Sequence, residues 1–343
     1  MSRVCVLHVG GTIGMTDSPD GLVPQRDVLE RYLASMPELR RPDVPRHHVE
    51  VLEPLLDSAD MAPEDWLRIA KAIVARDAEF DGFVVLHGTD TMTHTASALS
   101  FLLEGLRKPV ILTGAQLSLE HVRTDGREHI VTSIILAGSY KIPEVCIYFA
   151  SRLLRGNRAQ KVHNNDFVAF DSGNLAPLAT VGARINVADH LLRPPGRGLP
   201  VSLQFGGDPQ VVALRVFPGL SKRLLDTVLD GADGVVLETY GAGTFPHRDH
   251  ALLDSILRAT SASDPTVVVN VSQCHGGVVD QATYASSRAL ADAGVVSGVD
   301  MTPEAALTKL YCLFAADRAP LDVRRMVGED LAGELDPSAV TDV

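Results

Sequence analysis

Short runs rich in valine and isoleucine recur along the chain, and they barely alternate between apolar and polar residues. RVCVLHV begins at Arg3, GFVVLH at Gly82, PVILTG at Pro109 and EVCIYFA at Glu144. GVVLETY begins at Gly234 and TVVVNVSQ at Thr266. A strand with one wet face alternates, whereas a strand covered on both faces reads as a continuous apolar run. Amphipathic segments lie between these runs. In PEDWLRIAKAIVARD, Pro63 suits a first helical position, and Glu64 and Asp65 favour the positive end of the helix dipole. Trp66, Ile69, Ala70, Ile73 and Val74 then make one apolar face. The stretch from Pro303 to Ala316 is a second helix of this kind. Buried strands alternating with helices predict an α/β fold with parallel sheets.

The chain has 343 residues, room for one large domain or two ordinary ones. HLLRPPGRGLP, His190 to Pro200, is dense in proline and glycine and lacks periodicity, so it marks a boundary. The expected organisation is an N-terminal domain over 1–189, a linker over 190–205 and a smaller C-terminal α/β domain over 206–343. A net charge of -12 argues against nucleic acid or an anionic membrane as partner, because both need a basic footprint. Cys5, Cys146, Cys274 and Cys312 are far apart, with no paired spacing, and read as reduced thiols in a cytoplasmic protein. No signal-peptide pattern and no membrane-length apolar stretch is visible.

In open parallel sheets, ligands bind beyond the carboxyl ends of strands. Four polar sequences fall at or after such ends: Gly10-Gly11-Thr12-Ile13-Gly14, Asp57-Ser58-Ala59-Asp60, His87-Gly88-Thr89-Asp90-Thr91 and Arg155 to Lys161. Each has an ordinary structural explanation. The first suits a tight glycine turn with Thr12 as a helix cap. The second is rich in cap and turn formers, and Thr89, Asp90 or Thr91 would equally cap the helix that holds Ser97 to Leu103. Lys161 alone would be a solvated cation. Spacing by itself leaves cap and function open. The chain lacks G-x-G-x-x-G and G-K-[ST], which discounts phosphate binding, and it lacks H-E-x-x-H, G-x-S-x-G and metal-ligand spacing. His47, His48, His163, Asp226, Asp230 and Asp233 read as structural or solvated.

Together, Gly10-Gly11-Thr12-Ile13-Gly14-Met15 and His87-Gly88-Thr89-Asp90-Thr91-Met92 resemble the paired signatures of the bacterial-type L-asparaginases. The resemblance continues through LLDSADMAPEDW, KPVILTGAQ, RGNRAQK and VDMTPEAALTKL and covers nearly the whole chain. Its pattern is that of the type I, cytoplasmic branch. The resemblance implies an N-terminal parallel-sheet, Rossmann-like domain and a smaller C-terminal α/β domain. It implies a homodimer or dimer of dimers, a small amino-acid amide as substrate, and no metal or other cofactor. Thr12 matches the family's nucleophile, and Thr89, Asp90 and Lys161 match its second catalytic cluster. Asp57, Ser58 and Ala59 match the segment that holds the substrate's α-carboxylate and amine. Backbone N–H groups near Gly11, Thr12, Gly88 and Thr89 are the candidate oxyanion hole.

The chain departs from that pattern in three places. Leu22 stands where most members carry a tyrosine on the loop after the nucleophile, and leucine cannot relay a proton. His129 replaces an asparagine in the Asp125-Gly126-Arg127-Glu128-His129 segment, behind the site. At the positions that match an allosteric asparagine site of some type I relatives, this chain has Gln160, Glu238, Thr244 and Cys274, with Glu238 in place of an arginine.

Three readings compete with an active asparaginase: a glutaminase, an amino-acid-binding homologue without turnover, and the asparaginase-like subunit of a tRNA-dependent amidotransferase. Retention of Lys161 beside Asp90 favours an enzyme over a binder, and the acidic charge disfavours tRNA. Glu238 would repel an effector carboxylate, so saturation by asparagine is expected to be hyperbolic. A sigmoidal curve that Glu238→Arg leaves unaltered would contradict this.

Overall fold

The computed structural model describes residues 2–18, 21–24, 26–200, 202–248 and 250–340, with backbone alone for those between 16 and 27. Two compact units emerge. The first comprises 1–172 and 176–203; the second comprises 173–175 and 204–343.

The first unit is built on a mostly parallel sheet. Its strands are β1 (Arg3–Gly10), β4 (Arg46–Leu56), β5 (Gly82–Leu86), β6 (Val110–Thr113), β7 (Val145–Phe149), β8 (Arg152–Arg155), β11 (Ala179–Val181) and β12 (Ile185–Val187). Two small antiparallel pairs accompany it: β2 (Met15–Ser18) with β3 (Gly21–Pro24), and β9 (Gln160–Lys161) with β10 (Phe170–Asp171). The sheet order is β12-β11-β8-β7-β6-β5-β1-β4. Strands β4, β1, β5, β6 and β7 are parallel, while β8, β11 and β12 extend one edge antiparallel. Taken in chain order, the parallel strands have the flavodoxin-like arrangement of doubly wound sheets. The chain leaves β1 for β4 on one side and returns to β5 on the other. The switch point therefore lies between β1 and β5.

Helices α1 (Arg26–Ser35), α2 (Pro63–Arg76), α3 (Met92–Leu102) and α4 (Gly126–Ser139) connect the parallel strands. The α2 start matches its sequence signals: Pro63 is in the first turn, and Asp65 Oδ2 accepts the Ala62 N–H at 3.0 Å. Trp66, Ile69, Ala70 and Ile73 are buried. Ile69 and Ile73 join Leu99 of α3 against Cys5, Leu7, Phe83, Val85, Leu112 and Ile147 of the sheet. Those sheet residues alternate along β1 and β5, yet β5 is buried at every position. The α4 helix packs on the other face, which is why the strands do not alternate in sequence.

The second unit holds β13 (Val211–Arg215), β14 (Gly234–Thr239), β15 (Val267–Ser272) and β16 (Val296–Ser297), all parallel and in that order. Its helices are α5 (Lys222–Asp230), α6 (His250–Thr260), α7 (Ala285–Asp292), α8 (Pro303–Ala315) and α9 (Pro320–Val327). Leu225, Leu252, Ile256 and Leu290 pack with Val235, Leu237 and Val268 on one face. Leu310, Leu313, Val323 and Val327 pack with Val236, Val267, Val269 and Val271 on the other. Asn174 belongs to this unit: its amide donates to Gly277 O at 3.0 Å and accepts the Gly277 N–H at 2.7 Å. Glu238 faces Arg215 at 3.7 Å, and the Thr244 hydroxyl donates to Tyr240 O. All four cysteines are free thiols; Cys5 and Cys146 are buried, and Cys274 is exposed.

Lys309 of α8 is fully buried, against a fully buried Glu334 at 2.5 Å. Its ammonium also donates to Val327 O, at the end of α9, and to Glu329 O. Glu334 in turn accepts the N–H groups of Leu331 and Ala332. Burial pushes the Lys309 ammonium down from its ordinary pKa, and Glu334 pulls it back. Removing one partner strands the other as a buried charge. Lys309→Met is therefore expected to cost about 3–5 kcal/mol in chemical denaturation. Combining it with Glu334→Leu should return part of that loss.

Candidate active site

The site begins with two glycines. Gly10 and Gly11 end β1 with φ of 127° and 87°, a region that side chains avoid. A Cβ on Gly11 would lie 2.3 Å from Gly88 N, so the two backbones touch across β1 and β5. Gly11 also donates its N–H to Leu56 O, at the end of β4. Thr12 follows as the first residue of a 3-10 turn, Thr12–Gly14, whose flanking cap residue is Gly11. Thr12 is thus not the cap that its position after the glycines allowed. Contact between Gly11 and Gly88 brings the chain at Thr12 next to the chain at Thr89.

The segment after β4 locks onto the same place. Asp57 Oδ1 accepts the Ala59 N–H at 3.0 Å, so Asp57 does cap the short turn Ser58–Asp60. Ser58 is buried and reaches across to the β5 end. Its Oγ accepts the Asp90 N–H at 3.3 Å, and its carbonyl accepts the Thr91 hydroxyl at 2.7 Å. A Cβ on Gly88 would lie 2.4 Å from Ser58 Oγ. Gly88 is therefore confined between Gly11 and Ser58. Thr91 precedes α3, but no side chain caps that helix. The hydroxyls and carboxylate after β5 are directed elsewhere.

Lys161 collects them. Its Nζ lies 2.8 Å from Thr89 Oγ1 and 2.6 Å from Asp90 Oδ1. The Lys161 side chain is 17% exposed and that of Asp90 is 64% exposed, so the ammonium is covered while the carboxylate faces outward. Lys161 does not directly follow a parallel strand, as its sequence position suggested. The chain turns at Ala150 and Ser151, both with positive φ, and runs back along β8. The turn Gly156–Arg158 then packs against α3 and delivers β9 to Thr89. An ammonium that donates to a threonine oxygen polarises the hydroxyl, and the adjacent carboxylate offers a place for its proton. Asp90 also offers a negative charge to a substrate ammonium.

Residues beyond the candidate set complete the cluster. The Thr89 hydroxyl points at Gln116 Oε1, 3.5 Å away. Gln116 follows β6 and is held by Asp125, whose carboxylate accepts the N–H groups of Gln116 and Leu117. Gln116 Nε2 donates to Asp166 O at 3.0 Å. The signal for Gln116 was its place after the PVILTG strand. His129 fits its surroundings despite replacing an asparagine. Its Nδ1 lies 2.9 Å from Gly114 O, and its Nε2 accepts the Ala150 N–H at 3.1 Å. Both ring nitrogens are satisfied, and the ring lies against Phe149 and Tyr148. Leu22 lies in the β3 backbone, and its side chain falls outside the described residues. Among the described residues no group of histidine, cysteine or carboxylate side chains is arranged to hold a metal ion. No helix is long and apolar enough to cross a membrane.

Beneath the loop that carries Thr12, His8 is buried in β1, with Nε2 facing Gly14. Neither ring nitrogen has a hydrogen-bond partner among the described residues. Burial pushes its pKa down from 6.5 to about 4. Between those values the unfolded chain holds a proton here that the folded chain does not. This contribution to stability is complete above pH 6.5 and is lost as pH falls through 4. His8→Leu removes two unsatisfied polar atoms, which cost about 1–3 kcal/mol each when buried. The variant is expected to melt at or above the parent temperature at pH 7 and to lose less on acidification. Thermal melts at pH 7 and pH 4.5 check both; a lower melting temperature at pH 7 would contradict the assignment.

A family model described as Asparaginase, N-terminal matches residues 3–193. Another, described as Glutaminase/Asparaginase C-terminal domain, matches residues 210–327. L-asparaginase 1 of Escherichia coli (strain K12) is 42% identical over 335 residues, which cover 97% of this chain and 98% of that protein. The 60 kDa lysophospholipase of Mus musculus is 41% identical, covering 97% of this chain and 62% of its own length. The crystal structure of L-asparaginase I from Vibrio cholerae superposes with a TM-score of 0.87 at 38% identity, covering 98% of this chain and 99% of that one. With both domains matched and full-length relatives at this identity, the chain belongs to the asparaginase family.

Proposed function

We propose that the protein hydrolyses the side-chain amide of L-asparagine to L-aspartate and ammonia. The observation that carries this reading is the Lys161 ammonium held on both Thr89 Oγ1 and Asp90 Oδ1, at the strand end where Gly88 touches Gly11. A pure amino-acid binder has no need of a covered lysine behind a buried hydroxyl.

In this reading Thr12 is the nucleophile. Its oxygen attacks the amide carbon, and the developing oxyanion is stabilised by backbone N–H groups around Gly11, Thr12, Gly88 and Thr89. The hydroxyl proton passes to the leaving nitrogen, the C–N bond breaks and ammonia departs. A water molecule, activated at Thr89 with Asp90 and Lys161, then adds to the β-aspartyl ester. The ester C–O bond breaks, aspartate leaves and Thr12 regains its proton. Asp57, Ser58 and Ala59 hold the substrate's amine and α-carboxylate. No cofactor enters this chemistry. The protein acts as a cytoplasmic homodimer or dimer of dimers.

L-Glutamine is the second substrate to consider, because the C-terminal family description names glutaminase beside asparaginase. It differs by one methylene, which a pocket discriminates by only ~1–3 kcal/mol.

Ammonia release from L-asparagine, L-glutamine and D-asparagine tests the reading. L-Asparagine is expected to be preferred. Thr12→Ala or Thr89→Ala should lower kcat by about 10²–10⁴-fold with no loss of melting temperature. Near-normal turnover in Thr12→Ala would remove it from the nucleophile role.

A further inference from the structure

His87 is the residue between β5 and the Gly88–Thr89 pair, and it is fully buried. Its own N–H donates to Thr113 O at 2.9 Å, which ties it to β6. Its Nδ1 lies 2.7 Å from Gly88 O. A carbonyl only accepts, so Nδ1 carries a proton. Nε2 lies 2.8 Å from Oγ1 of Thr95, itself fully buried in α3. Burial pushes the ring's pKa down to about 4, against smaller opposing effects of the Gly88 carbonyl and Asp65. A neutral ring has one N–H, so Nε2 accepts the Thr95 hydroxyl proton. Thr95 and Gly88 O together select one tautomer.

That tautomer acts on a soft piece of backbone. Gly88 must lack a side chain because Gly11 and Ser58 press on it. The same absence removes the usual barrier to rotating the Gly88–Thr89 peptide. In a trans peptide the C=O and N–H point to opposite sides. With Gly88 O drawn onto the His87 ring, the Thr89 N–H points away from it, outward from the buried strand end. We infer that His87, locked by Thr95, is a positioning residue: it holds the Gly88–Thr89 peptide so that the Thr89 N–H faces the oxygen of the substrate amide. The direction of the peptide follows from the hydrogen bonds; what it is aimed at rests on the amide-hydrolase reading above.

The test uses the full-length protein. In His87→Asn, the side-chain amide N–H overlays the Nδ1 position and can still donate to Gly88 O; in His87→Gln it overlays Nε2 and cannot. His87→Gln is expected to lower kcat by about 10²–10³-fold, the effect of losing one oxyanion donor. KM should move by less than about threefold, as for an interaction made mainly in the transition state. His87→Asn should return to within about tenfold of the parent. In ¹⁵N-histidine NMR, His87 should show a protonated Nδ1 and an unprotonated Nε2 from pH 8 to pH 5, and Thr95→Val should loosen that preference.

An Nε2–H or charged ring in that range overturns the inference. So does an Asn variant as slow as the Gln variant when both melt like the parent. If both variants unfold, Thr95→Val decides, since an unchanged tautomer and kcat would dismiss the lock. If the parent releases no ammonia from any amide, the hydrolase reading fails, and the tautomer spectrum still decides whether His87 holds this peptide.

Discussion

The contact between the Gly11 and Gly88 backbones sets the arrangement on which the rest of the site depends. The two neighbouring parallel strands end at the switch point here, where the chain leaves β1 for one side of the sheet and re-enters at β5 on the other. The opening would admit solvent and separate the two threonines if either strand ended in a residue with a side chain. Gly10 and Gly11 take positive φ, and the backbone of one strand lies against that of the next. Ser58 closes the third side with a hydroxyl that accepts from Asp90 and a carbonyl that accepts from Thr91. Three strand ends are joined mostly by main-chain groups, so the side chains of Thr12, Thr89 and Asp90 take no part in the joining.

Charge is placed at this site with care for burial. The covered cation, Lys161, sits against an exposed carboxylate, so the pair is not an isolated charge in apolar surroundings. His87 and His129 each present Nδ1 to a glycine carbonyl and use Nε2 as an acceptor. Both glycines, Gly88 and Gly114, follow strands of the site, β5 and β6, and each carbonyl meets a histidine ring. Each unit also encloses an ion pair, Arg155 with Glu144 in the first and Lys309 with Glu334 in the second. Lys309 and Glu334 are both enclosed, and hydrogen bonds to backbone and to each other offset their lost hydration.

His8 is one exception to that satisfaction. Placed in β1, two residues before Gly10, it makes no hydrogen bond among the described residues. A buried group of this kind costs stability. The cost lies directly under the loop that carries Thr12.

Much of this fold is legible in the sequence. The six non-alternating runs are all strands of parallel sheets, and the Pro63 and Pro303 segments are helices, because period and capping are local properties of the chain. Polar residues at strand ends marked Thr12, Asp57 and Thr89 as candidates, since ligands in such sheets bind there, and the family resemblance supplied the roles expected of them. What the sequence could not say was which polar residues cap and which do not. Asp57 is a cap, whereas Thr91 spends its hydroxyl on Ser58, a partner 33 positions away. The reversal through β8 that carries Lys161 to Thr89, the Gln116 contact and the two histidine tautomers were equally hidden. The sequence by itself determined the class of sheet and the residue types at its rim, because these follow from neighbours along the chain. Only the tertiary structure decided which of those residues meet, because their hydrogen bonds join strand ends distant in sequence and depend on strand order.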